Sequence, residues 1–318
     1  MKKVLLSKSM DPAGMKVLEG KVETVVLSDF DTDHIKKIVA DVAGIMLRTN
    51  IKITREIIEA APYLKIISRT GAGVDNVDVV AASEGGILVC NAPGINSISV
   101  AEHALAFILA MAKQLEVIDE AVRKGNWKIR YTSQAGDLEG KTLGLVGLGQ
   151  IGSLLAEKAR LAFHMKIIAY DPFVKQAEHI TLTSSLEDLF KQSDFISIHV
   201  PHTEETHHLV DSRLLGLMKP SAYLVNTSRG TVVDEKALIQ VLEKDRIAGA
   251  ALDVFEEEPP SLDNPLLKLN NVITTAHSAG LNRDCERKLA VQAAQAIVDY
   301  FEGNEPEHIY NKKELSSR

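Results

Sequence analysis

The chain has 318 residues, of which 45% are hydrophobic and 25% charged, and its formal net charge is -7. This length is enough for about two domains with sizeable cores. The acidic balance argues against a nucleic-acid-binding surface, which needs clustered Lys and Arg. The N-terminal apolar run, Val4 to Leu6, is too short for a secretory signal, and no helical stretch is both long and apolar enough for a membrane span. We therefore expect a cytoplasmic protein that binds neither membranes nor nucleic acids.

The first hundred residues alternate short apolar runs with helical segments. Strands that alternate with helices pair in parallel, because parallel strands need crossover connections. The pattern therefore predicts a doubly wound parallel sheet, and the absence of a G-x-G-x-x-G motif here indicates a task other than holding a dinucleotide. The predicted strands are Val4–Ser7, Val22–Leu27, Gly44–Arg48, Leu64–Ser68 and Ile87–Asn91, and the predicted helices are Pro12–Leu18, Asp33–Ala40 capped at Thr32, and the segment from Thr54 to Ala61.

A change of pattern follows at residue 100. Residues 100–123 are rich in Ala, Leu, Ile and Met and predict one long helix. One small domain cannot bury all the hydrophobic surface of a helix this apolar. We therefore expect the helix both to link domains and to pair with its copy in a homodimer. The remaining predicted strands are Thr142–Val146, Lys166–Tyr170, Asp194–Val200, Ala222–Asn226, Gly249–Val254 and Val272–Thr275, and the remaining predicted helices are Ser153–Phe163, Ser185–Lys191, Ser212–Met218, Asp234–Lys244 and Asp284–Glu302.

A glycine-rich turn joins the strand at 142–146 to the helix at 153–163. Its sequence is Gly147-Leu148-Gly149-Gln150-Ile151-Gly152. Gly147 makes the tight turn, Gly149 lets the backbone approach a pyrophosphate, and Gly152 lets the helix pack close to the strand. The next strand ends in Asp171, about 20 residues later, where a carboxylate accepts hydrogen bonds from a ribose 2′-hydroxyl and repels a 2′-phosphate. Glycine turns also occur for packing alone, but the order strand, turn, helix, strand, acid favours an NAD site.

Three side chains with catalytic potential follow strands of this second region. Arg229, Glu258 and His277 come after the strands at 222–226, 249–254 and 272–275, and ligands of open parallel sheets bind beyond the carboxyl ends of strands. Each of the three also has a purely structural explanation. Arg229 can pair with Asp234 or Glu235, and His277 can be a structural hydrogen-bonding residue. Glu258 can belong to a solvated acidic loop, which is the favoured interpretation for Glu256 and Glu257.

Reduction of a 2-oxo acid needs all three types of group. A histidine donates the proton, a carboxylate beside it stabilises the imidazolium, and an arginine binds the substrate carboxylate bidentately. The trio therefore predicts a 2-oxo acid reductase or the reverse dehydrogenase.

Five longer motifs follow one another along the chain: SRTGAGVDNVD, NAPGINSISVAEHALAFILA, KTLGLVGLGQIG, VNTSRGTVVDEKAL and GAALDVFEEEPP. With these motifs the whole chain resembles the D-isomer-specific 2-hydroxyacid dehydrogenase family, and it is most similar to phosphoglycerate dehydrogenase-like members. The resemblance implies two α/β domains, a flavodoxin-like substrate domain (1–98 plus 284–318) and a Rossmann NAD domain (99–283), with the active-site cleft between them.

The resemblance also implies roles for individual residues. Arg229, Glu258 and His277 match the family's active-site residues, Arg229 also binds substrate, and the helix at 100–115 matches its dimer helix. Substrate carboxylate binding is implied on the backbone of Ala72 and Gly73. The implied cofactor contacts, beside the glycines, are Gln150, Ile151, Asp171, Val200, Thr227, Asp253 and Ala279.

The substrate depends on basic residues near the expected cleft. Arg48, Arg69 and Arg130 resemble phosphate-binding positions of the phosphoglycerate dehydrogenases, although Arg130 stands one position late. The hypothesis is that 3-phosphoglycerate is the substrate and that Arg48 contributes to its binding. The alternative is that the arginines are structural and that the enzyme reduces hydroxypyruvate, glyoxylate or another unphosphorylated 2-oxo acid.

Two further interpretations concern other classes of protein. The related C-terminal binding co-repressors resemble this chain, so an NAD-sensing binding protein is a distant alternative. His202, His207 and His208 fit no common zinc spacing, and Cys90 and Cys285 stand far apart without a C-x-x-C motif. We therefore expect no metal site and no disulfide.

Overall fold

The computed structural model describes residues 1–316. The chain forms two compact units. Unit 1 consists of Met1–Asn96 together with the chain from Leu281 onward, and unit 2 is Ser97–Gly280. Both are α/β structures built on a parallel sheet, which confirms the predicted fold class.

Unit 1 contains a five-stranded sheet in the order β2-β1-β3-β4-β5, with every pair parallel. Its helices cover both faces, as the near-continuous apolar strands require. The strands are β1 (Lys2–Leu6), β2 (Val22–Val26), β3 (Gly44–Leu47), β4 (Ile66–Arg69) and β5 (Leu88–Cys90), and the helices are α1 (Pro12–Leu18), α2 (Thr32–Val39), α3 (Arg55–Glu59), α4 (Val79–Glu84), α12 (Arg283–Glu302) and α13 (Lys312–Ser316).

Helix starts in unit 1 differ in detail from the predictions. Helix α2 is capped by Asp31, whose carboxylate accepts a hydrogen bond from His34 N at 3.0 Å, so the predicted cap at Thr32 is wrong. Thr54 holds the N-cap position of α3 without a side-chain cap bond. Helix α4 was not predicted, because it is only 6 residues long and its apolar start lacks a helical period.

Helix α12 packs on the sheet of unit 1. Ser68 Oγ in β4 donates to the carbonyl of Ala293 at 2.9 Å. Gly14 in α1 allows an especially close approach, since a Cβ there would lie 2.7 Å from the carbonyl oxygen of Ala290. The segment after α12 then meets the edge strand β5, where buried Asn311 accepts from Val89 N at 2.9 Å.

Unit 2 contains a seven-stranded parallel sheet in the order β12-β11-β10-β9-β6-β7-β8. The chain reverses the direction of strand addition between β6 and β9, which is where such sheets bind ligands. The strands are β6 (Thr142–Val146), β7 (Lys166–Tyr170), β8 (Thr181–Leu182), β9 (Phe195–Ile198), β10 (Tyr223–Asn226), β11 (Gly249–Leu252) and β12 (Val272–Thr274), and the helices are α5 (Ser97–Ala112), α6 (Leu115–Arg123), α7 (Ile129–Thr132), α8 (Gln150–Phe163), α9 (Leu186–Gln192), α10 (Ser212–Leu215) and α11 (Glu235–Glu243).

The single long helix predicted at 100–123 is wrong. Helices α5 and α6 meet at an angle of 57°, and Gln114 between them has a left-handed φ of 49°. The Gln114 side-chain oxygen accepts from Ser133 Oγ at 3.0 Å and Gln134 N at 2.9 Å. In residues 1–316 no single helix has the length and hydropathy to cross a membrane, although the bent pair taken together reaches them.

Candidate active site

The glycine-rich turn runs from the end of β6 to the start of α8. Gly147 has a φ of 94°, and a Cβ there would lie 2.9 Å from the carbonyl oxygen of His199. A Cβ at Gly152 would lie 2.4 Å from the carbonyl oxygen of Gly147. A Cβ at Gly149, in contrast, meets no atom within 4 Å. Packing within the chain therefore accounts for the first and third glycines but not for Gly149, whose bare backbone suits the close approach of a pyrophosphate.

Asp171 lies beside this turn. Its Oδ2 accepts a hydrogen bond from Leu148 N, and its Oδ1 accepts one from Phe173 N, both at 2.9 Å. These two bonds fix the carboxylate at the end of β7. An ionised carboxylate has about four acceptor positions, so the group retains capacity for the hydroxyls of a ribose.

Further polar groups line the carboxyl ends of the neighbouring strands. Thr227, just after β10, is 8% exposed, and its buried Oγ1 has no hydrogen-bond partner among residues 1–316. A buried hydroxyl left unpaired costs free energy, so a ligand that bonds to it would relieve that cost. Gln150, the first residue of α8, accepts a bond from Ser97 Oγ at 3.2 Å. The residues present therefore fit a dinucleotide.

His199 is a feature of this region that the sequence analysis missed. It follows β9, and its Nε2 lies 2.9 Å from Ser197 Oγ. Its Cδ2 would lie 3.7 Å from a Cβ on Gly152, so the ring packs beneath the glycine turn. Burial lowers the pKa of His199 to about 4, and the ring is neutral near pH 7. Its place after a strand of the ligand-binding edge was the signal that could have found it.

His277 and Glu258 are joined by a hydrogen bond. The distance from His277 Nδ1 to Glu258 Oε2 is 2.7 Å, and Glu258 Oε1 also accepts from Phe255 N at 3.2 Å. Burial, the largest single influence, raises the pKa of Glu258. The hydrogen bond and charge of His277, the Phe255 N–H and the charge of Arg229 together outweigh it, and the pKa of Glu258 ends below its ordinary value. Glu258 is therefore a carboxylate at neutral pH, and the pair leaves His277 Nε2 to exchange a proton with a substrate.

The backbone of His277 has a left-handed φ of 50°, and Asp253 holds it there. His277 N donates to the Asp253 carbonyl at 2.7 Å, Ser278 N to Asp253 Oδ1 at 2.8 Å, and Ala279 N to Asp253 Oδ2 at 2.9 Å. Asp253 is 1% exposed. It therefore organises the loop of His277 in addition to being a predicted cofactor contact.

Arg229 lies in the turn after β10. Its Nη1 donates to the Ser228 carbonyl at 2.7 Å, and its own carbonyl accepts from Asn226 Nδ2 at 2.9 Å. The next residue, Gly230, packs against the backbone of Phe255, since a Cβ at 230 would lie 1.9 Å from the Phe255 carbonyl carbon. This contact holds the Arg229 turn beside the Glu258 loop, close enough for the arginine to lower the pKa of Glu258.

The neighbouring acids have partners of their own. Asp234 caps α11 by accepting from Ala237 N, and Glu235 accepts from Asn264 Nδ2 at 2.7 Å and Glu256 N at 3.1 Å. Glu256 is not the solvated side chain that was predicted, because its Oε1 lies 2.6 Å from His208 Nε2 and accepts from Glu235 N. Among the residues described, no three His, Cys, Asp or Glu side chains are arranged to hold a metal ion.

Three of the predicted substrate residues, Arg48, Ala72 and Gly73, lie in unit 1, and the fourth, Arg229, lies in unit 2. The Arg48 guanidinium, after β3, forms an ion pair with Glu286 of α12. Ala72 and Gly73 are in the loop after β4, and the Ala72 carbonyl accepts from Asn91 Nδ2 at 2.6 Å. These residues stand at the carboxyl edge of the unit 1 sheet. Glu286 compensates the charge of Arg48, which the sequence did not reveal.

Remaining cofactor predictions fall on unit 2. Ile151 is in the first turn of α8, Val200 is the second residue after β9, and Ala279 is buried in the loop held by Asp253. The structure thus brings the predicted contacts to one edge of one sheet.

Comparison with known proteins indicates the same family as the sequence motifs. A family model described as "D-isomer specific 2-hydroxyacid dehydrogenase, NAD binding domain" matches residues 105–279. A D-3-phosphoglycerate dehydrogenase of Methanocaldococcus jannaschii is 39% identical over 98% of this chain and 60% of its own length. A hydroxypyruvate reductase of Thermotoga maritima is 39% identical over 93% of this chain and 97% of its own length.

Among solved structures, the TT0316 protein from Thermus thermophilus matches with a TM-score of 0.90 and 33% identity over 97% of this chain and 99% of that one. The chain spans 54 to 60% of the length of three phosphoglycerate dehydrogenases that it matches. These likenesses confirm the resemblance found in the sequence. The chain belongs to the D-isomer-specific 2-hydroxyacid dehydrogenase family, a family of oxidoreductases, and carries its NAD-binding domain.

Proposed function

We propose that this chain is an NAD-dependent D-2-hydroxyacid dehydrogenase acting on a small 2-hydroxy or 2-oxo acid. The observation that carries the proposal is the 2.7 Å hydrogen bond between His277 Nδ1 and Glu258 Oε2, in the unit that contains the family's NAD-binding domain. Bound NAD supplies the hydride chemistry at C2 of the acid. The proton chemistry falls to residues of the chain.

His277 is proposed as the acid and base of the reaction. In the direction of reduction, Nε2 gives its proton to the carbonyl oxygen, and Glu258 stabilises the imidazolium before that transfer. In the direction of oxidation, the neutral ring takes the hydroxyl proton. Arg229 is proposed to bind the substrate carboxylate, for which a guanidinium has matching geometry.

The cofactor is proposed to lie along the carboxyl edge of the unit 2 sheet. The backbone of Gly149 and the N-terminus of α8 would bind the pyrophosphate, and Asp171 would bind the ribose, which favours NAD over NADP. The other proposed contacts are Gly147, Gln150, Ile151, Gly152, Val200, Thr227, Asp253 and Ala279.

For the substrate we propose 3-phosphoglycerate first, since several phosphoglycerate dehydrogenases are about 40% identical to this chain over nearly all of its length. Arg48, Ala72, Gly73 and Arg229 would bind it. A second candidate is an unphosphorylated acid such as hydroxypyruvate or glyoxylate. It is favoured by the ion pair of Arg48 with Glu286, which compensates one of the charges that a phosphate would use.

The test is an assay of NADH oxidation and NAD reduction with 3-phosphoglycerate, hydroxypyruvate, glyoxylate and pyruvate, compared by kcat/KM. His277→Gln, which keeps the volume of the ring without an acid of suitable strength, should lose at least about 100-fold in kcat while binding NADH normally. A protein that binds NADH but turns over none of these acids would instead be an NAD-sensing binding protein, and the proposal would be wrong.

We also propose a homodimer, through α5 and α6. Ala101, Ala104 and Ile108 of α5 are buried within unit 2, so the predicted 100–115 helix uses much of its apolar surface internally. Helix α6 has no buried residue, and its Leu115 and Val122 are 55% and 41% exposed. Covering them requires a partner, and a second copy brings an identical apolar face.

A further inference from the structure

The buried carboxylate of Asp253 belongs to a hydrogen-bond chain that reaches helix α5. Asp253 Oδ1 lies 2.5 Å from Thr275 Oγ1, and His103 Nε2 lies 3.1 Å from the same hydroxyl oxygen. His103 Nε2 is also 4.0 Å from Asp253 Oδ1. All three residues are in unit 2.

The donors and acceptors of these three side chains determine which group donates the proton in each hydrogen bond. Both oxygens of Asp253 accept backbone N–H groups, from Ser278 and Ala279, as an ionised carboxylate does. A threonine hydroxyl has a single proton, and Thr275 gives it to Asp253. The Thr275 oxygen is therefore an acceptor toward His103, so His103 carries a proton on Nε2. His103 thus donates to Thr275, and Thr275 donates to Asp253.

The position of Asp253 determines that of His277. Three consecutive amides, those of residues 277, 278 and 279, donate to Asp253. They offset the left-handed backbone of His277, a conformation that is strained in a residue other than glycine. Rotation of the Asp253 carboxylate would break two of these bonds. The hydroxyl of Thr275 opposes that rotation, and His103 in turn fixes the hydroxyl.

We propose that His103 is a positioning residue of the dehydrogenase reaction, acting through Thr275 and Asp253 on the backbone of His277. The inference rests on the proposed function of His277. His103 is suited to this role because its ring is itself held: it makes an edge contact with Phe107 at a centroid distance of 4.5 Å, and its side chain is 25% exposed.

The experiment compares His103→Leu, which removes the donor, with His103→Gln, whose amide can donate from a similar place. Glu102→Gln is the control on the same helix, because the Glu102 carboxylate pairs with Lys158 of α8. Two readouts are measured: amide hydrogen exchange of a peptide covering residues 275–281, by mass spectrometry, and steady-state kinetics of the full chain.

His103→Leu should exchange the amides of residues 277–279 faster and lower kcat roughly tenfold, since the reacting geometry is loosened. KM for the 2-oxo acid should stay within about twofold, because Arg229, which is proposed to bind its carboxylate, is not part of these hydrogen bonds. His103→Gln should restore both readouts, and Glu102→Gln should change neither. If His103→Leu fails to fold, Thr275→Val removes the same link with little change of shape and should give the same two effects.

The inference would be overturned if the amides of residues 277–279 exchanged as slowly in His103→Leu and Thr275→Val as in the wild type. Equal impairment in the Leu and Gln variants would also overturn it, because it would mean that only the shape of the ring matters. A chain that turns over no 2-oxo acid refutes the proposed function instead. In that case the exchange measurement still decides whether His103 holds the loop.

Discussion

Gly149→Ala offers the most direct test of the proposed cofactor site, because it separates binding from folding. The φ of Gly149 is -73°, which alanine adopts without strain, and a Cβ there meets no atom within 4 Å. Alanine reduces the freedom of the unfolded chain, worth about 0.4–1 kcal/mol, and is a poorer N-cap than glycine by a similar amount. The two effects nearly cancel, so Tm should move by less than about 2 °C.

In contrast to its small effect on Tm, Gly149→Ala should weaken cofactor binding. A hydrogen bond between an N–H group and a charged phosphate is worth roughly 1.5–3 kcal/mol, and a methyl group over the turn would displace the pyrophosphate from at least one such bond. The Kd for NADH should therefore rise at least about tenfold. The assay is a titration of NADH fluorescence, with thermal unfolding measured on the same samples.

Gly152→Ala is the matched control for this experiment. Its Cβ would lie 2.4 Å from the Gly147 carbonyl oxygen, so the backbone must shift at a cost of about 1–3 kcal/mol, and Tm should fall by several degrees. An NADH affinity of Gly149→Ala within twofold of the wild type would refute the reasoning, since it would show that no ligand approaches that backbone.

Single side chains give three other predictions. The pKa of His199 is about 4 in the folded chain and about 6.5 when unfolded, so its contribution to stability is complete above pH 6.5 and is lost as pH falls toward 4. His199→Gln should therefore remove up to ~3 kcal/mol of acid destabilisation; urea unfolding curves of variant and wild type that shift in parallel with pH would contradict this. Glu258→Gln should lower kcat at least about tenfold with little change in the Kd for NADH, and unchanged kcat would exclude Glu258 from the proton transfer. Arg130→Ala should raise KM for 3-phosphoglycerate far more than for hydroxypyruvate, and equal effects in initial-rate assays would argue against phosphate binding there.

The parts of the fold that the sequence predicts best are those specified locally. The strand at 142–146 and the strand at 166–170 have the predicted bounds, because apolar runs beside a glycine turn leave few alternatives. Helix α1 likewise has its predicted bounds, with Pro12 in its first turn and Asp11 as its cap. Most other strands are one or two residues shorter than predicted, because the predicted segments extend beyond the residues that pair in the sheet.

Tertiary contacts account for what could not be predicted. The break between α5 and α6 is stabilised by two hydrogen bonds that the Gln114 side-chain oxygen accepts from residues 133 and 134, which no helical period reveals. The same holds for the site: the sequence indicates His277, Glu258 and Asp253, but not that Asp253 holds three consecutive amides. The ion pair of Arg48 with Glu286 joins residues 238 positions apart, and it changes how the charge of Arg48 is interpreted.

The division of unit 1 between the two ends of the chain has a consequence for synthesis on the ribosome. Strands β1 to β5 emerge before unit 2 and α12, but buried Val4, Leu6 and Ile66 belong to a cluster completed by Ala294 and Ile297 of α12. Translation proceeds at about 5–20 residues per second, so this face of the sheet lacks its helix for an interval on the order of ten seconds. Unit 2, whose residues are contiguous, has all of its elements before α12 is made. The nascent chain thus carries an uncovered apolar sheet while its central region is free to fold, and chaperone contact during that interval would fall on the N-terminal segment.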